Sequence, residues 1–214
     1  MYDRDSDIIF SGEFLNGKKW NGKGYNKKKI IYELKDGKGK VKEYKYGELI
    51  FEGEYINGER KGKGKEFNLF GILEYEGEYS GGKRHGKGKE YNSYGLLTFE
   101  GEYLYNWKYK GKEYIKGNLE YEGEYLNNIK WNGKGYDKNN NVIYELNNGN
   151  GKVKYYYEIG GLSFEGEYLN GMINGHVKQY NRKGKILFEG EYLNGKRNGK
   201  GKEYDDNGIL KFEG

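Results

Sequence analysis

The stretch FEGEYLNGKRNGKGKEY, residues 188–204, decides the fold of this chain. It places a glycine between two aromatic residues, alternates glutamates with them, and then alternates lysines with two more glycines. Closely similar stretches occur at residues 51–67 (FEGEYINGERKGKGKEF) and 75–91 (YEGEYSGGKRHGKGKEY). Self-similarity at a fixed period is the signature of a repeat protein. We therefore expect a chain built from stacked copies of one small unit.

The glycine of the aromatic-x-Gly-Glu-aromatic motif defines the period, and most motif glycines follow one another after 22 to 24 residues. Two wider gaps each contain a degenerate copy, in which Leu34 and Leu146 replace the glycine. The sequence of residues 19–42 recurs in similar form at residues 130–154. We interpret this recurrence as the duplication of a larger block. We predict a single array of about nine units over residues 1–214. Its anchor positions are Gly12, Leu34, Gly53, Gly77, Gly101, Gly123, Leu146, Gly166, Gly190 and Gly214.

Each unit is predicted to be a pair of short antiparallel strands. In the first strand Phe188, Gly190 and Tyr192 point to one face, while the intervening glutamates point to the other. The Asn-Gly pairs between the strands suit tight turns that need positive φ. No proline interrupts the pattern. The same alternation gives the structural positions of three other units, Phe51, Gly53, Tyr55, Tyr75, Gly77, Tyr79, Phe99, Gly101 and Tyr103.

The glycines are predicted to make space for the rings. A ring that lies flat on a sheet needs room that a neighbouring side chain would take, so we expect Gly190, Gly199 and Gly201 to leave that room. Each glycine costs about 0.5–1 kcal/mol, offset by the burial of a ring of about 150–250 Å². On the opposite face, glutamates and lysines of paired strands should lie side by side. This parity puts Glu203 on the ring face and Tyr204 on the charged face, so we expect a bulge or an early strand end there.

Composition argues against several functional classes. The chain has no cysteine, and its two histidines, His85 and His176, fall at unrelated positions of different repeats. A Cys/His site is therefore excluded and a zinc cluster is disfavoured. The Gly-Lys-Gly-Lys runs do not continue as a phosphate-binding loop. We expect no catalytic residue, no metal and no cofactor, and we interpret His85 as a turn residue.

Charge and hydropathy limit the classes of partner and the cellular compartment that we expect. The net charge of +5 is too modest for a typical duplex-binding domain, so no nucleic acid is expected. The chain has no disulfide framework, no run of apolar residues long enough to span a membrane, and a charged start. We expect a cytoplasmic protein, with membrane or cytoskeletal association left open.

The repeated motif resembles the MORN repeat. Residues 75–88 (YEGEYSGGKRHGKG) come closest to that family's pattern, YEGEWxNGKRHGxG, and residues 202–214 (KEYDDNGILKFEG) resemble the variant MORN repeat. The resemblance covers essentially the whole chain. It implies an all-β fold, an elongated, single-layer, twisted antiparallel sheet of stacked β-hairpins. It also implies a non-catalytic scaffold that binds protein partners or anionic phospholipids, often as a dimer.

The first turns of the units are one candidate binding surface, because each carries cations. If all these turns project from one edge of the sheet, they form a row with a spacing of about 10 Å. Such a row could meet anionic lipid head groups, although exposed turns also carry lysine for solubility. The candidate residues are Lys18, Lys19, Arg60, Lys61, Lys83, Arg84, Lys196 and Arg197.

The aromatic face is the other candidate surface. A single-layer sheet has no second layer over its apolar side, so either the rings cover one another or the face stays open as a groove for a peptide, a helix or a second copy. Unpaired strands at the sheet ends also permit a homodimer by end or edge association. Three functions remain open: a scaffold for protein partners, a peripheral module that binds anionic phospholipid, and a binder of small ligands or glycans. An enzyme is disfavoured.

Overall fold

The computed structural model of the chain describes residues 9–157 and 161–214. Within these ranges the chain forms 19 β-strands and no helix, and neighbouring strands are antiparallel. The predicted all-β architecture of stacked hairpins is therefore confirmed. The predicted array starts at residue 1, but residues 1–8 lie outside the described part of the chain.

The chain divides into two compact units, Met1–Lys108 and Tyr109–Gly214, and the boundary falls within one strand. In the first unit, three strands form one sheet and the next six form another, always in chain order. Its strands are β1 (Phe10–Leu15), β2 (Lys18–Asn26), β3 (Lys29–Leu34), β4 (Gly39–Lys45), β5 (Glu48–Ile56), β6 (Glu59–Phe67), β7 (Leu73–Ser80), β8 (Lys83–Tyr91) and β9 (Leu97–Leu104).

The second unit repeats this organisation, with one group of strands in chain order from β10 to β13 and a second from β14 to β19. Its strands are β10 (Trp107–Ile115), which contains the boundary, β11 (Asn118–Leu126), β12 (Ile129–Tyr136), β13 (Val142–Leu146), β14 (Gly151–Tyr156), β15 (Leu162–Leu169), β16 (Met172–Tyr180), β17 (Ile186–Leu193), β18 (Lys196–Tyr204) and β19 (Leu210–Glu213).

The rings of the motif occupy pockets made by glycines, as the sequence predicts. Tyr75 is completely buried, and its ring lies over Gly77 and Gly88, which face each other on paired strands. A Cβ atom added at Gly88 would lie 2.3 Å from the Tyr75 hydroxyl oxygen, and one at Gly77 would lie 2.4 Å from it. Phe188 lies in the same way over Gly190 and Gly201. The missing side chains therefore make the space that the rings fill.

In β6, β8 and β18 the first glycine of the Gly-x-Gly pair has a different role from the predicted one. Gly199 has a φ of +85°, and its missing Cβ leaves room for the carboxylate of Glu191, not for a ring. It lies in a β-bulge, because the register shifts between Gly190 and Tyr192. Only glycine adopts this left-handed conformation freely. The prediction for Gly199 was wrong, since it considered side-chain space and not the backbone conformation that the bulge imposes.

The ladder of strands is interrupted where leucine replaces the motif glycine. β3 and β4 are joined by a tight turn closed by a bridge between Lys35 and Lys38, after which the two strands separate. Leu34 is buried there and packs in a cluster with Tyr32 and Val41. The second unit has the same break after Leu146, which is also buried. A leucine side chain thus fills the inside of each corner between two ladders.

Replacing Gly88 by alanine tests the ring pocket. The added methyl group would lie 2.6 Å from two carbon atoms of the Tyr75 ring as well as close to its hydroxyl. We expect the free energy of unfolding, measured with urea, to fall by about 1–3 kcal/mol, the usual cost of overpacking. The control is Gly81→Asn in the open turn, where φ is +58° and asparagine already serves at the equivalent Asn57. Equal losses in the two variants would contradict the ring-pocket explanation.

Candidate functional site

The motif turn is the two-residue turn that follows the aromatic-x-Gly-Glu-aromatic motif. The second residue after it is a cation that covers a ring, except after β15, where it is Ile173. The guanidinium carbon of Arg60 lies 4.0 Å from the centroid of the Phe51 ring, and that of Arg84 lies 4.2 Å from the Tyr75 ring. Such contacts are worth about 0.5–2 kcal/mol each. The other pairs are Lys19 over Phe10, Lys108 over Phe99, Lys130 over Tyr121 and Arg197 over Phe188.

In the first unit these cations are joined by glutamates into what we call the ion ladder. Arg60 binds Glu43 at 2.7 Å and Glu66 at 3.1 Å. Arg84 then binds Glu66 and, at 2.8 Å, Glu90. These side chains keep only 21–23% of their surface exposed. The full order is Glu43, Arg60, Glu66, Arg84, Glu90 and Lys108.

The ion ladder explains why a glutamate lies on the ring face. The alternation of its strand predicts Glu203 on the ring face, and the structure has it there, bound to Arg197. A bulge separates it from Tyr204, as expected. The Tyr204 hydroxyl donates to Glu189 on the charged face at 2.8 Å. The two faces therefore keep alternating at this point, with a glutamate on the ring face and a tyrosine on the charged face.

The predicted row of turn cations is divided into two groups by the structure. Lys19, Arg60, Arg84 and Arg197 lie over the rings, so the prediction that they project from the edge is wrong. For the three arginines the signal was available, because each is followed six residues later by a ring-face glutamate. The others are exposed at the edge, where Lys18 pairs with Glu59 at 2.8 Å; these outer lysines are Lys18, Lys61, Lys83 and Lys196.

The second unit arranges its charges differently around Lys130. The Lys130 ammonium group lies 3.1 Å from Glu113 and also binds Glu120. Burial by itself would lower the pKa of Lys130, but the two carboxylates outweigh it and raise that pKa. Burial raises the pKa of Glu120, and the nearby charge of Glu113 adds to the effect. Two carboxylates thus share one buried cation.

The aromatic face is covered, not open. Phe51, Tyr75 and Phe99 have no exposed surface, and they contact one another through Tyr79 and Tyr103 in edge-to-face pairs. The centroids of these pairs are 5.3–5.5 Å apart, within the favourable range. The sequence left open whether the rings cover one another or form an open groove. In this part of the first unit the rings cover one another, and the cations cover the remaining ring surface.

The connecting turns lead from one hairpin to the next motif. In the first unit the turn between β2 and β3 carries Lys27 and Lys28, and the other three display aromatic residues. They join β4 to β5, β6 to β7 and β8 to β9, so they share one edge of the sheet. Their tips are Tyr46, Phe70 and Tyr94, with 67%, 88% and 86% of their surface exposed. The Asn68 side chain accepts hydrogen bonds from the backbone at Phe70 and Ile72, which fixes that turn. We call these three residues the tip aromatics.

The connecting turns of the second unit that lie wholly within the described residues carry polar tips. In the turn after β12, Asp137 accepts the corresponding backbone hydrogen bonds from Asn139 and Asn141. Asn181 and Asp205 do the same in the later connecting turns. The residues in the tip position of these turns, and of the turn after β10, are Lys116, Asn139, Lys183 and Asn207.

The motif turns lie at the opposite edge, where they contact one another. The Gly82 amide donates to the Arg60 carbonyl at 3.0 Å, and the Asn106 amide donates to the Arg84 carbonyl at 2.9 Å. The residue before the turn is usually apolar and about half exposed. Examples are Leu15 and Leu104 in the first unit and Leu126, Leu169 and Leu193 in the second. Beside the outer lysines, these residues make each motif edge amphipathic.

The two histidines have no common site. His85 is the third residue of β8, so its interpretation as a turn residue was wrong; its ring centroid lies 4.8 Å from that of Tyr105. His176 lies in β16 of the other unit. Within residues 9–157 and 161–214, no group of three or more histidines, aspartates and glutamates is placed to hold a metal ion. The same residues form no helix that is long and apolar enough to cross a membrane.

Fold and surfaces together define a β-repeat protein, in which neighbouring hairpins of a unit bury their rings against one another. The model of the MORN repeat family matches residues 51–67, 75–95, 164–176 and 188–209. The chain therefore belongs to the MORN-repeat family, as the motif resemblance predicted. A search of curated proteins finds no match. The matched stretches include the motif rings of β5, β7, β15 and β17 and, after β5, β7 and β17, the cations that cover those rings.

A comparison of Arg84→Ala with Lys83→Ala tests whether the ion ladder stabilises the fold. In Arg84→Ala the carboxylates of Glu66 and Glu90 lose their shared partner, and the Tyr75 ring loses its cover. We expect the free energy of unfolding to fall by about 2–4 kcal/mol, since the three mostly buried carboxylates of the ladder are then left with only two cations, Arg60 and Lys108. Lys83→Ala, one residue earlier and exposed, should change it by less than about 0.5 kcal/mol. Similar losses in both variants would mean that the ladder does not stabilise the fold.

Two glutamates should respond to pH in opposite ways. Burial would raise the pKa of Glu43, but hydrogen bonds and charge from Arg60 outweigh it and lower that pKa. Its stabilising contribution is thus present above its ordinary pKa and is lost as the pH falls through the folded-state pKa. The raised pKa of Glu120 has the reverse effect, because the folded protein loses stability as the pH rises through it.

Glutamine variants at these positions check the two signs by urea unfolding at about pH 7 and about pH 3.5, above and below the ordinary glutamate pKa. Glu43→Gln should destabilise the protein more at the higher pH than at the lower. Glu120→Gln should do the opposite and be best tolerated at the higher pH. The same trend in both variants would contradict the assigned pKa directions.

Proposed function

We propose that the chain is a non-catalytic scaffold that binds a protein partner through the tip aromatics of its first unit. The observation that carries this proposal is the exposure of Tyr46, Phe70 and Tyr94 on adjoining turns of one sheet edge. A single exposed apolar residue is common, but a series of them marks an interaction surface. Aromatic residues are also enriched where proteins bind one another.

The fold itself does not require rings at these positions. The connecting turns of the second unit are held by the same side-chain-to-backbone hydrogen bonds and have asparagine or lysine at the tip. Tyr46 moreover has a φ of 55°, a conformation that other turns of the chain fill with asparagine. A bulky side chain in that conformation is unusual and calls for a reason outside local folding. Partner binding supplies that reason.

Site-specific cross-linking tests this proposal. A photoreactive phenylalanine derivative is placed at position 70 or 94 of the full chain, and the cross-linked products are identified by mass spectrometry. The matched control places it at position 183, the polar tip of an equivalent turn in the second unit. We expect one and the same protein to be captured from positions 70 and 94 but not from 183.

A double variant completes the test. Phe70→Asn with Tyr94→Asn gives the first unit the tip residue of Asn139 and Asn207, so folding should be unchanged. Affinity for the captured partner should fall at least tenfold, since buried aromatic anchors each contribute about 2 kcal/mol or more. Capture of a second copy of this chain would instead indicate self-association. Equal capture from position 183 would refute the proposed surface.

A second candidate function is binding of anionic phospholipid at the motif edge of each unit. The observation that favours it is the juxtaposition of half-exposed leucines with the outer lysines, as at Leu15 beside Lys18 and Leu193 beside Lys196. Apolar side chains can enter the headgroup region while nearby cations meet the phosphates. This function would place the protein at a membrane surface without requiring a spanning segment.

Vesicle flotation distinguishes this function from solubilising lysines. Replacing Lys18, Lys61, Lys83 and Lys196 by glutamine should weaken binding to phosphatidylserine-containing vesicles more than tenfold, because each close cation contributes about 1 kcal/mol. The control replaces four exposed lysines elsewhere, so that the net charge is the same; these are Lys23, Lys40, Lys87 and Lys200. Equal effects of both sets would show that only overall charge matters.

A further inference from the structure

A cavity of about 390 Å³ opens in the second unit, between the ends of β10, β12 and β14. Its walls are mostly apolar or aromatic, and four of the lining residues are tyrosines: Tyr136, Tyr155, Tyr156 and Tyr157. The volume falls within the range of small-ligand sites, which combine apolar walls with a few polar groups. We call this feature the tyrosine cavity.

Several of the walls are held in place before any ligand enters. The Tyr155 hydroxyl is 3.2 Å from that of Tyr168, and the Tyr157 hydroxyl donates to the Tyr180 carbonyl. Tyr156 is 45% exposed, which places part of its ring at the surface. Fixed walls lower the cost of ordering side chains on binding.

Charge at the cavity favours a cation. Glu120 lines the cavity, and it shares the single cation Lys130 with Glu113, so this buried group carries one excess negative charge. The raised pKa of Glu120 has burial and then that shared charge among its causes. A cationic ligand near the carboxylate would relieve this repulsion. Tyrosine ring faces attract cations as well.

The hydrogen-bonding state of Glu120 narrows the class of cation. One of its oxygens binds Lys130, and the other lies 3.5 Å from the Tyr144 hydroxyl. Asp137 at the rim is engaged by three donors of its own turn. A primary amine or a guanidinium group would need an acceptor for each of its N–H groups, and these carboxylates, which already accept from other donors, leave few positions for them. A methylated ammonium group needs none, since it binds through charge and ring faces alone.

We propose that the tyrosine cavity binds a quaternary or otherwise fully methylated ammonium group, carried either by a free small molecule or by a methylated lysine side chain. Lys116 and Lys138 also line the cavity and oppose a cation by their charge. Their charges keep the binding of a cation weak. Removal of either charge is therefore expected to strengthen that binding. This site is separate from the tip aromatics and does not depend on the protein partner proposed there.

Choline and its neutral carbon analogue, 3,3-dimethylbutan-1-ol, are the probes that separate charge from shape. Amide chemical shifts of the full isotope-labelled chain are followed during titration with each compound at constant ionic strength. We expect saturable shifts for residues 115–120 and 155–157, with choline bound about tenfold more tightly than the alcohol. Equal affinity for the two probes, or no saturable shift with choline, would overturn the proposal.

Variants then locate the site. Tyr156→Leu removes one exposed ring and should weaken choline binding about tenfold, while Tyr109→Leu, which removes a similarly exposed tyrosine outside the cavity, should leave it unchanged. Lys138→Gln removes a like charge and should strengthen binding severalfold, a gain that misfolding could not imitate. Binding that ignores all three substitutions would refute the assigned cavity. An acetylated, amidated Gly-trimethyllysine-Gly peptide distinguishes the sources: a tighter fit than choline favours a side chain, and a weaker fit favours a small molecule.

Discussion

The structure depends on a ring held between a missing side chain and a cation. Below each motif ring, paired glycines such as Gly77 and Gly88 bring the backbone close to Tyr75. Above it, Arg84 covers the ring and is itself fixed by Glu66 and Glu90. A sheet without a second layer would normally leave an apolar face in water. Here the aliphatic and guanidinium parts of the cations act as that layer, and their charges remain paired at the surface.

The structural role of the motif residues determines which other residues are available for binding partners. The motif positions are committed to the sandwich of glycine, ring and cation, so changing them alters stability first. The turns are free of that requirement, because their conformation is fixed by glycine, by asparagine in positive φ, or by a side chain such as Asn68 that accepts backbone hydrogen bonds. What projects from the turns can vary from unit to unit. Recognition by this protein is therefore expected at edges and cavities and not on the repeat face.

Much of the fold could be predicted because period-two alternation and Asn-Gly turns act locally. The position of the ring over Gly190 and Gly201 followed from size alone. Gly199 did not, because its bulge depends on the register of two strands, and alternation along one strand does not reveal it. The inward cations were missed for a similar reason: Arg60 meets Glu43, which is 17 residues earlier in the sequence. The tyrosine cavity brings together three strand ends, so no local pattern could indicate it.

The duplicated blocks show how one change in the ion ladder leads to the cavity. Glu43 of the first unit corresponds in sequence to Tyr155 of the second, and its partner Arg60 corresponds to Ile173. With that ion pair replaced, Tyr155 meets Tyr168 by a hydroxyl contact, in the place where Glu43 meets Tyr55. Lys130, the counterpart of Lys19, then needs another carboxylate, and Glu120 supplies it where the first unit has Ile9. The first two substitutions remove an anion and its cation together. Together these substitutions replace the ion pair of Glu43 and Arg60 by tyrosine walls around the buried carboxylate of Glu120. The binding chemistry of the surface changes, while the hairpin repeat is kept.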